Sequence, residues 1–206
     1  IWPDGSLRGR IAASRKSSRV CVVALDDDPT GTQTAHDCWV LTGWEVTDLR
    51  SALADCEPVV YILTNTRAMP VAEAQAVQRQ VACNLVQAAR DTRRPLQVVS
   101  RSDSTLRGHF PGELDALQEE LEARSGVLFD GACLIPYFGE AGRFTVGDVH
   151  WVDLGDRVVP AASTPFARDA AFGYRHSRLH EWVAEKTGGR VRADEVLSVS
   201  IETLRQ

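Results

Sequence analysis

The chain has 206 residues, 44% of them hydrophobic and 25% charged, with a net charge of -5. That is enough apolar content to bury the core of one domain or one and a half. The charge has the wrong sign for a general nucleic-acid binder, which needs a basic surface, and no apolar run approaches the roughly 18–20 residues of a membrane span.

The opening stretch, IWPDGSLRGRIAASRKSSR, is basic but lacks the apolar centre of a secretory leader, so residues 1–19 read as a flexible tail. The only methionine is Met69. Residue 1 is then not a natural start, and the chain reads as a piece of something longer. Residues 20–206 read as its folded domain.

Val20–Leu25 is apolar throughout and predicts a buried strand. It runs directly into Asp26, Asp27 and Asp28, followed by Pro29-Thr30-Gly31. Three adjacent carboxylates repel one another, so a positive group or a hydroxyl-rich ligand is expected beside them. Asp27 and Asp28 can accept hydrogen bonds from sugar-like hydroxyls, act as a base or hold Mg²⁺. Pro29 and Gly31 suit a tight turn that a ligand can approach.

Further strands are predicted at Cys38–Leu41 and Val59–Leu63, the latter followed by Thr64-Asn65-Thr66-Arg67. Pro70 opens a helix over Val71–Arg90, with Val71, Ala74, Val77, Val81 and Leu85 on one stripe. A strand at Gln97–Ser100 leads into Arg101-Ser102-Asp103-Ser104-Thr105-Leu106-Arg107-Gly108. The next helix opens near Pro111, carries Leu114, Leu117 and Leu121, and stops at Gly126. Strands at Ala132–Ile135 and Val196–Val199 complete the series, and Ser200 is placed to cap a last helix that Gln206 cuts short. A β-hairpin is expected near 148–160, turning at Leu154-Gly155-Asp156.

Alternating strands and helices of these lengths predict an α/β fold, a mainly parallel sheet with helices on both faces. In such sheets ligands bind beyond the carboxyl ends of the strands. The loops at Asp26–Thr32, Thr64–Arg67, Arg101–Gly108 and Pro136–Arg143 are therefore expected to converge. Hydroxyls, free N–H groups and arginine forks in them suit a carboxylate or phosphate.

Arginine alone is a weak pointer here, because Lys16 and Lys186 are the only lysines among 23 basic residues. The five cysteines (Cys21, Cys38, Cys56, Cys83 and Cys133) are widely spaced without a CxxC pair. They read as buried free thiols of a cytoplasmic protein. The histidines share no metal-ligand spacing and read as structural or surface groups, with His109 bordering the Asp103–Gly108 loop. Neither lysine follows a glycine, so no Walker-type nucleotide loop is present.

Two enzymatic readings follow. Asp26-x-Asp28-x-Thr30 after a strand imitates the nucleophile motif of haloacid-dehalogenase-type phosphatases, with Asp26 attacking phosphorus, Asp28 as acid/base and Mg²⁺ bridging. That pattern lacks a suitably placed later cation and acidic pair. The second reading spans almost the whole chain. Asp27-Asp28-Pro29-Thr30-Gly31, Thr66-Arg67, Ser102-Asp103-Ser104-Thr105-Leu106-Arg107-Gly108 with Glu113, and Glu140-Ala141-Gly142-Arg143 with Thr145 and Gly147 together resemble the four-carbon acid sugar kinase family. Arg101, where that family often has lysine, and His109, where asparagine is common, depart from the pattern.

The resemblance implies the N-terminal, sugar-acid-binding half of an ATP-dependent kinase. Its ATP and Mg²⁺ would belong to a C-terminal domain. It implies Asp27 and Asp28 as catalytic candidates and Thr30, Gly31, Arg67, Arg101, Asp103, Ser104, Thr105, Arg107 and Arg143 as substrate-binding candidates. Arg107, Ser104 and Thr105, with Arg67 or Arg143, would take the carboxylate; Asp27, Asp28 and Asp103 would hold hydroxyls, one of them as base. The partners implied are a small sugar acid and the C-terminal kinase domain, with self-association left open. A stand-alone sugar-acid-binding module is the non-enzymatic alternative.

Overall fold

A computed structural model describes residues 6–32, 35–55 and 59–205. Residues up to Arg101 together with Asp115–Leu128 form one compact unit. Ser102–Leu114 and the residues from Phe129 onward form a second.

The first unit holds a four-stranded parallel sheet of β1 (Cys21–Asp26), β2 (Trp39–Leu41), β3 (Val59–Leu63) and β4 (Leu96–Arg101), in the order β2-β3-β1-β4. The register places Val23 beside Val60 and Val98, and Leu25 beside Ile62. These positions share one face, which meets α2 (Val46–Ala54), α3 (Val71–Thr92) and α4 (Gly112–Ser125). Leu49 and Leu53 of α2, Val81 and Leu85 of α3, and Leu117 and Leu121 of α4 complete that core. The helices are held by this burial, each large apolar side chain contributing ~1.5–3 kcal/mol. Gly126, at φ 75°, ends α4 in the left-handed region. Val71, expected on the buried stripe of α3, is exposed at its first turn.

The alternate positions Val22, Val59 and Gln97 face the other side, where α1 (Leu7–Ser18) supplies Ser14, Arg15 and Ser18. Residues 7–18 are thus helical, although α1 buries no residue; residues 1–5 lie outside the described residues. No described helix is long and apolar enough to cross a membrane.

The second unit carries an antiparallel sheet of β5 (Arg143–Val146), β6 (Val149–Asp153) and β7 (Val158–Pro160). The expected hairpin is β6–β7, with β5 as an additional strand. Leu106, Val152, Ala161, Tyr174 and Trp182 form its core with Leu179 and Val183 of α5 (Leu179–Lys186). Phe110 stacks on Trp182 with ring centroids 4.7 Å apart. Ser200 caps α6 (Ile201–Leu204), its Oγ accepting from the Thr203 N–H at 3.2 Å; Gln206 lies outside the described residues.

Three sequence expectations are corrected. Ala132–Ile135 and Val196–Val199 are not strands. Ile135 is 81% and Leu197 89% exposed, and an apolar, β-branched segment forms a strand only where another edge pairs with it. Cys21 is disulfide-bonded, whereas Cys38, Cys83 and Cys133 are free and none of the three is buried. Cys56 lies outside the described residues.

Candidate functional site

The predicted site residues form two constellations, one in each unit. In the first, the register of β1 and β4 sets Asp26 directly beside Arg101. Arg101 Nη1 donates to Asp26 Oδ2 at 2.7 Å, and the Asp26 side chain is fully buried. The Asp26 backbone is equally committed: its carbonyl accepts from the Thr64 N–H at 2.8 Å and from Thr64 Oγ1 at 3.0 Å. Burial pushes the Asp26 carboxyl above its ordinary value, and the Arg101 charge opposes that rise.

Asp27 and Asp28 share the other guanidinium. Arg67 Nε and Nη2 donate to the two oxygens of Asp27 at 3.1 and 2.5 Å, while Nη1 reaches Asp28 Oδ2 at 3.2 Å. The backbone N–H of Arg67 also donates to the Asp27 carbonyl at 3.1 Å, so the loop after β3 is stitched to the loop after β1. Asp28 Oδ1 accepts from the Thr30 N–H at 2.9 Å and from the Thr30 hydroxyl. Gly31 closes the turn over the first ion pair: a β-carbon there would lie 1.7 Å from Arg101 Nη1 and 1.8 Å from Asp26 Oδ2. The positive partners of the three aspartates therefore include two of the chain's own arginines. Asp27 is buried, and Asp28 is the one of the three that meets solvent.

In the second unit the loop Ser102–Gly108 wraps around Arg107. Its Nε donates to Asp103 Oδ2 at 2.7 Å and to Thr105 Oγ1 at 3.2 Å, and the Thr105 hydroxyl donates to the same Asp103 oxygen. Arg107 Nη1 stands 3.6 Å from Asp169 Oδ2. Asp169 is itself anchored, its Oδ1 accepting from the N–H groups of Ala171 and Phe172 at 2.9 and 3.1 Å. Those two bonds hold the Asp169 carboxyl below its ordinary value.

The Arg107 guanidinium lies 5.1 Å from the centroid of the Phe166 ring, and that of Arg143 lies 5.8 Å from the same centroid. Arg143 Nη1 donates to the Ala141 carbonyl at 2.6 Å, while its Nε is buried with no hydrogen-bond partner among the described residues. Beneath the loop, His150 Nε2 lies 2.7 Å from the Ser104 carbonyl and its Nδ1 3.0 Å from Thr145 Oγ1. The Tyr174 hydroxyl donates to the Thr105 carbonyl at 2.7 Å. Burial pushes His150 below, and Tyr174 above, the ordinary value of each.

Asp26, Asp27, Asp28, Thr30, Gly31, Arg67 and Arg101 thus come together in the first unit, and Asp103, Thr105, Arg107 and Arg143 in the second. Ser104 contributes its carbonyl, to His150. Phe166, Asp169 and Tyr174 went unread in the sequence, and His150 was read only as a structural or surface group. Its place in Val149-His150-Trp151-Val152 was a usable signal, because period two puts His150 on the same inward face as Val152. A hollow of about 530 Å³ in the first unit, lined in part by Arg15, Val22, Tyr61 and Gln97, includes none of the predicted site residues. It lacks the paired charges of both constellations, and we place no chemistry there.

The sequence profile of the sugar-binding N-terminal domain matches residues 22–206. The chain belongs to that family. A solved domain of unknown function (DUF1537) from Bordetella bronchiseptica, a domain-swapped dimer with bound citrate, is similar to it, with a TM-score of 0.58 and 25% identity. The similarity covers 79% of this sugar-binding domain and 39% of that chain, so the domain spans well under half of its neighbour's length. No curated protein matches the chain.

Proposed function

We propose that this chain is the substrate-binding half of an ATP-dependent kinase that phosphorylates a hydroxyl of a four-carbon sugar acid. The observation that carries the reading is the gathering of Arg107 and Arg143 on the single ring of Phe166. Two guanidiniums on one ring repel each other, and a carboxylate accepting from both relieves that repulsion with charge-assisted hydrogen bonds. The Nε of Arg143 is buried with no hydrogen-bond partner among the described residues, so no acceptor there fixes that edge of its guanidinium. Membership of the sugar-binding family and the citrate held by the Bordetella neighbour, itself a small hydroxylated carboxylic acid, support an anion of this class. The domain-swapped dimer of that neighbour supports self-association here as well.

In this reading Arg107 and Arg143 take the carboxylate, with Ser104 and Thr105 beside them. In the first unit Thr30 and Gly31 shape the turn on which Asp27 and Asp28 stand. Asp28 is better placed than Asp27 to draw a proton from a hydroxyl, because it meets solvent while Asp27 is enclosed by Arg67. Phosphoryl transfer depends mainly on positioning and charge neutralisation, and binding and orientation are what this domain would supply. The chain has no glycine-rich loop followed by lysine, and so no Walker-type nucleotide loop. Nor do three His, Cys, Asp or Glu side chains gather to hold a metal among the described residues. In this reading, as the family resemblance implies, ATP and Mg²⁺ belong to a further, C-terminal domain, and no step is derived through them here.

The phosphatase alternative is weakened by Asp26. A nucleophile must reach phosphorus, and this carboxylate is fully buried, bonded to Arg101 and covered by Gly31. A thermal-shift panel of threonate, erythronate and other short sugar acids separates the readings. Stabilisation of the isolated chain by a four-carbon acid, with no ADP formed from ATP, fits the proposal. Mg²⁺-dependent hydrolysis of a generic phosphate ester without ATP overturns it.

A further inference from the structure

We propose that His150 and Tyr174 are positioning residues of the sugar-acid site, two buried ring donors that hold successive carbonyls of the Ser102–Gly108 loop and thereby fix where Arg107 is presented. The inference rests on the reading of that loop as substrate-binding.

The loop lies outside any sheet ladder or helix, and Leu106 at φ 67° and Gly108 at φ 135° turn its backbone sharply. The Ser104 carbonyl meets His150 Nε2 and the next carbonyl, of Thr105, meets the Tyr174 hydroxyl, each at 2.7 Å. Both rings are buried, and they come from 46 and 69 residues further along the chain. A carbonyl can only accept, so the proton of neutral His150 is on Nε2. Nδ1 lies 3.0 Å from Thr145 Oγ1 of β5, whose one hydroxyl proton is shared between this nitrogen and the Pro136 carbonyl at 3.2 Å.

What the carbonyls fix is passed directly to the guanidinium. Thr105 is held at its carbonyl by Tyr174 and at its hydroxyl by Asp103, and that same hydroxyl accepts from Arg107 Nε. With Asp169 and Phe166 bounding the guanidinium on its other sides, a shift of the 104–105 backbone moves Arg107 away from all of these contacts together.

The test uses the whole chain and two readouts: calorimetric affinity for threonate or erythronate, whichever the wild type binds, and amide hydrogen exchange of residues 103–108. Tyr174→Phe keeps the ring and removes only the donor; His150→Leu removes the ring donor, and His150→Gln returns an N–H to it. We expect Tyr174→Phe and His150→Leu to weaken binding about tenfold or more and to speed loop exchange, with His150→Gln recovering most of the affinity. Wild-type affinity and unchanged loop exchange in Tyr174→Phe would overturn the inference, whatever the melting temperature does. If the wild type binds no sugar acid, the functional reading fails separately. Exchange then decides alone: faster exchange upholds the holding role and unchanged exchange removes it.

Discussion

Gly31 stands against Asp26 so closely that a β-carbon would lie 1.8 Å from its Oδ2. The turn after β1 therefore packs onto the Asp26–Arg101 pair, and the absence of a side chain at Gly31 is what lets a buried carboxylate keep its arginine. Gly31→Ala must displace one partner and leave the Asp26 charge buried without it. The expected loss is about 3 kcal/mol, in the range for breaking a buried pair. Gly43→Ala, where nothing lies within 4 Å, is the control, expected within about 0.5 kcal/mol of wild type. Urea denaturation of both measures the difference.

Arg67 spans two carboxylates with three nitrogens. A lysine ammonium is a point charge and cannot reproduce that fork. Arg67→Lys should destabilise the chain by about 1–3 kcal/mol and Arg67→Ala by about 3–5 kcal/mol, because the buried Asp27 loses the two-pronged contact with the Arg67 guanidinium. Denaturant midpoints for the two variants check this, and a lysine variant as stable as the arginine form would remove the bidentate argument.

His150 gives the stability a pH dependence of known sign. Burial lowers its affinity for a proton, with the Arg143 charge adding to that and the Ser104 carbonyl and Asp103 opposing it. The unfolded chain takes up the proton near pH 6.5 and the folded chain only at lower pH, so stability is complete above that value and falls as the solution is acidified through the window. Asp26, raised by burial, works in the opposite sense, losing stability as pH rises from its own acidic range. Comparing wild type with His150→Gln cancels Asp26. The variant should lose less stability than wild type between pH 7 and pH 5, and parallel melting curves across that interval would remove the account of a buried neutral ring.

Much of the fold was legible because its signals are periodic. Leu117 and Leu121 stand one helical turn apart on α4, and Val59–Leu63 is a strand with the bounds the sequence suggested. Ala132–Ile135 carries the same composition as the strands yet pairs with no strand among the described residues, since composition reports a preference and not a partner. α2 went unread although Leu49, Ala52 and Leu53 mark its buried stripe. The two constellations of candidate residues were legible as loops, not as bonds. That Arg67 belongs to Asp27 and Arg101 to Asp26, across 40 and 75 residues, follows from strand order and register. Phe166 lies in a single 3-10 turn, Pro165–Arg168, and Asp169 directly follows it, a segment with no motif, and they matter only because the fold sets them around Arg107.

The central claim, that Arg107 receives the carboxylate of a short sugar acid, is tested most directly by calorimetric titration of the chain and of Arg107→Gln with threonate and erythronate, melting temperatures being recorded for both. The account predicts that wild type binds at least one of them and that the variant, still folded, binds it about 30- to 100-fold more weakly, as expected for losing a charge-assisted pair. Equal affinity in the two proteins, or no binding of either acid by the wild type, would contradict it.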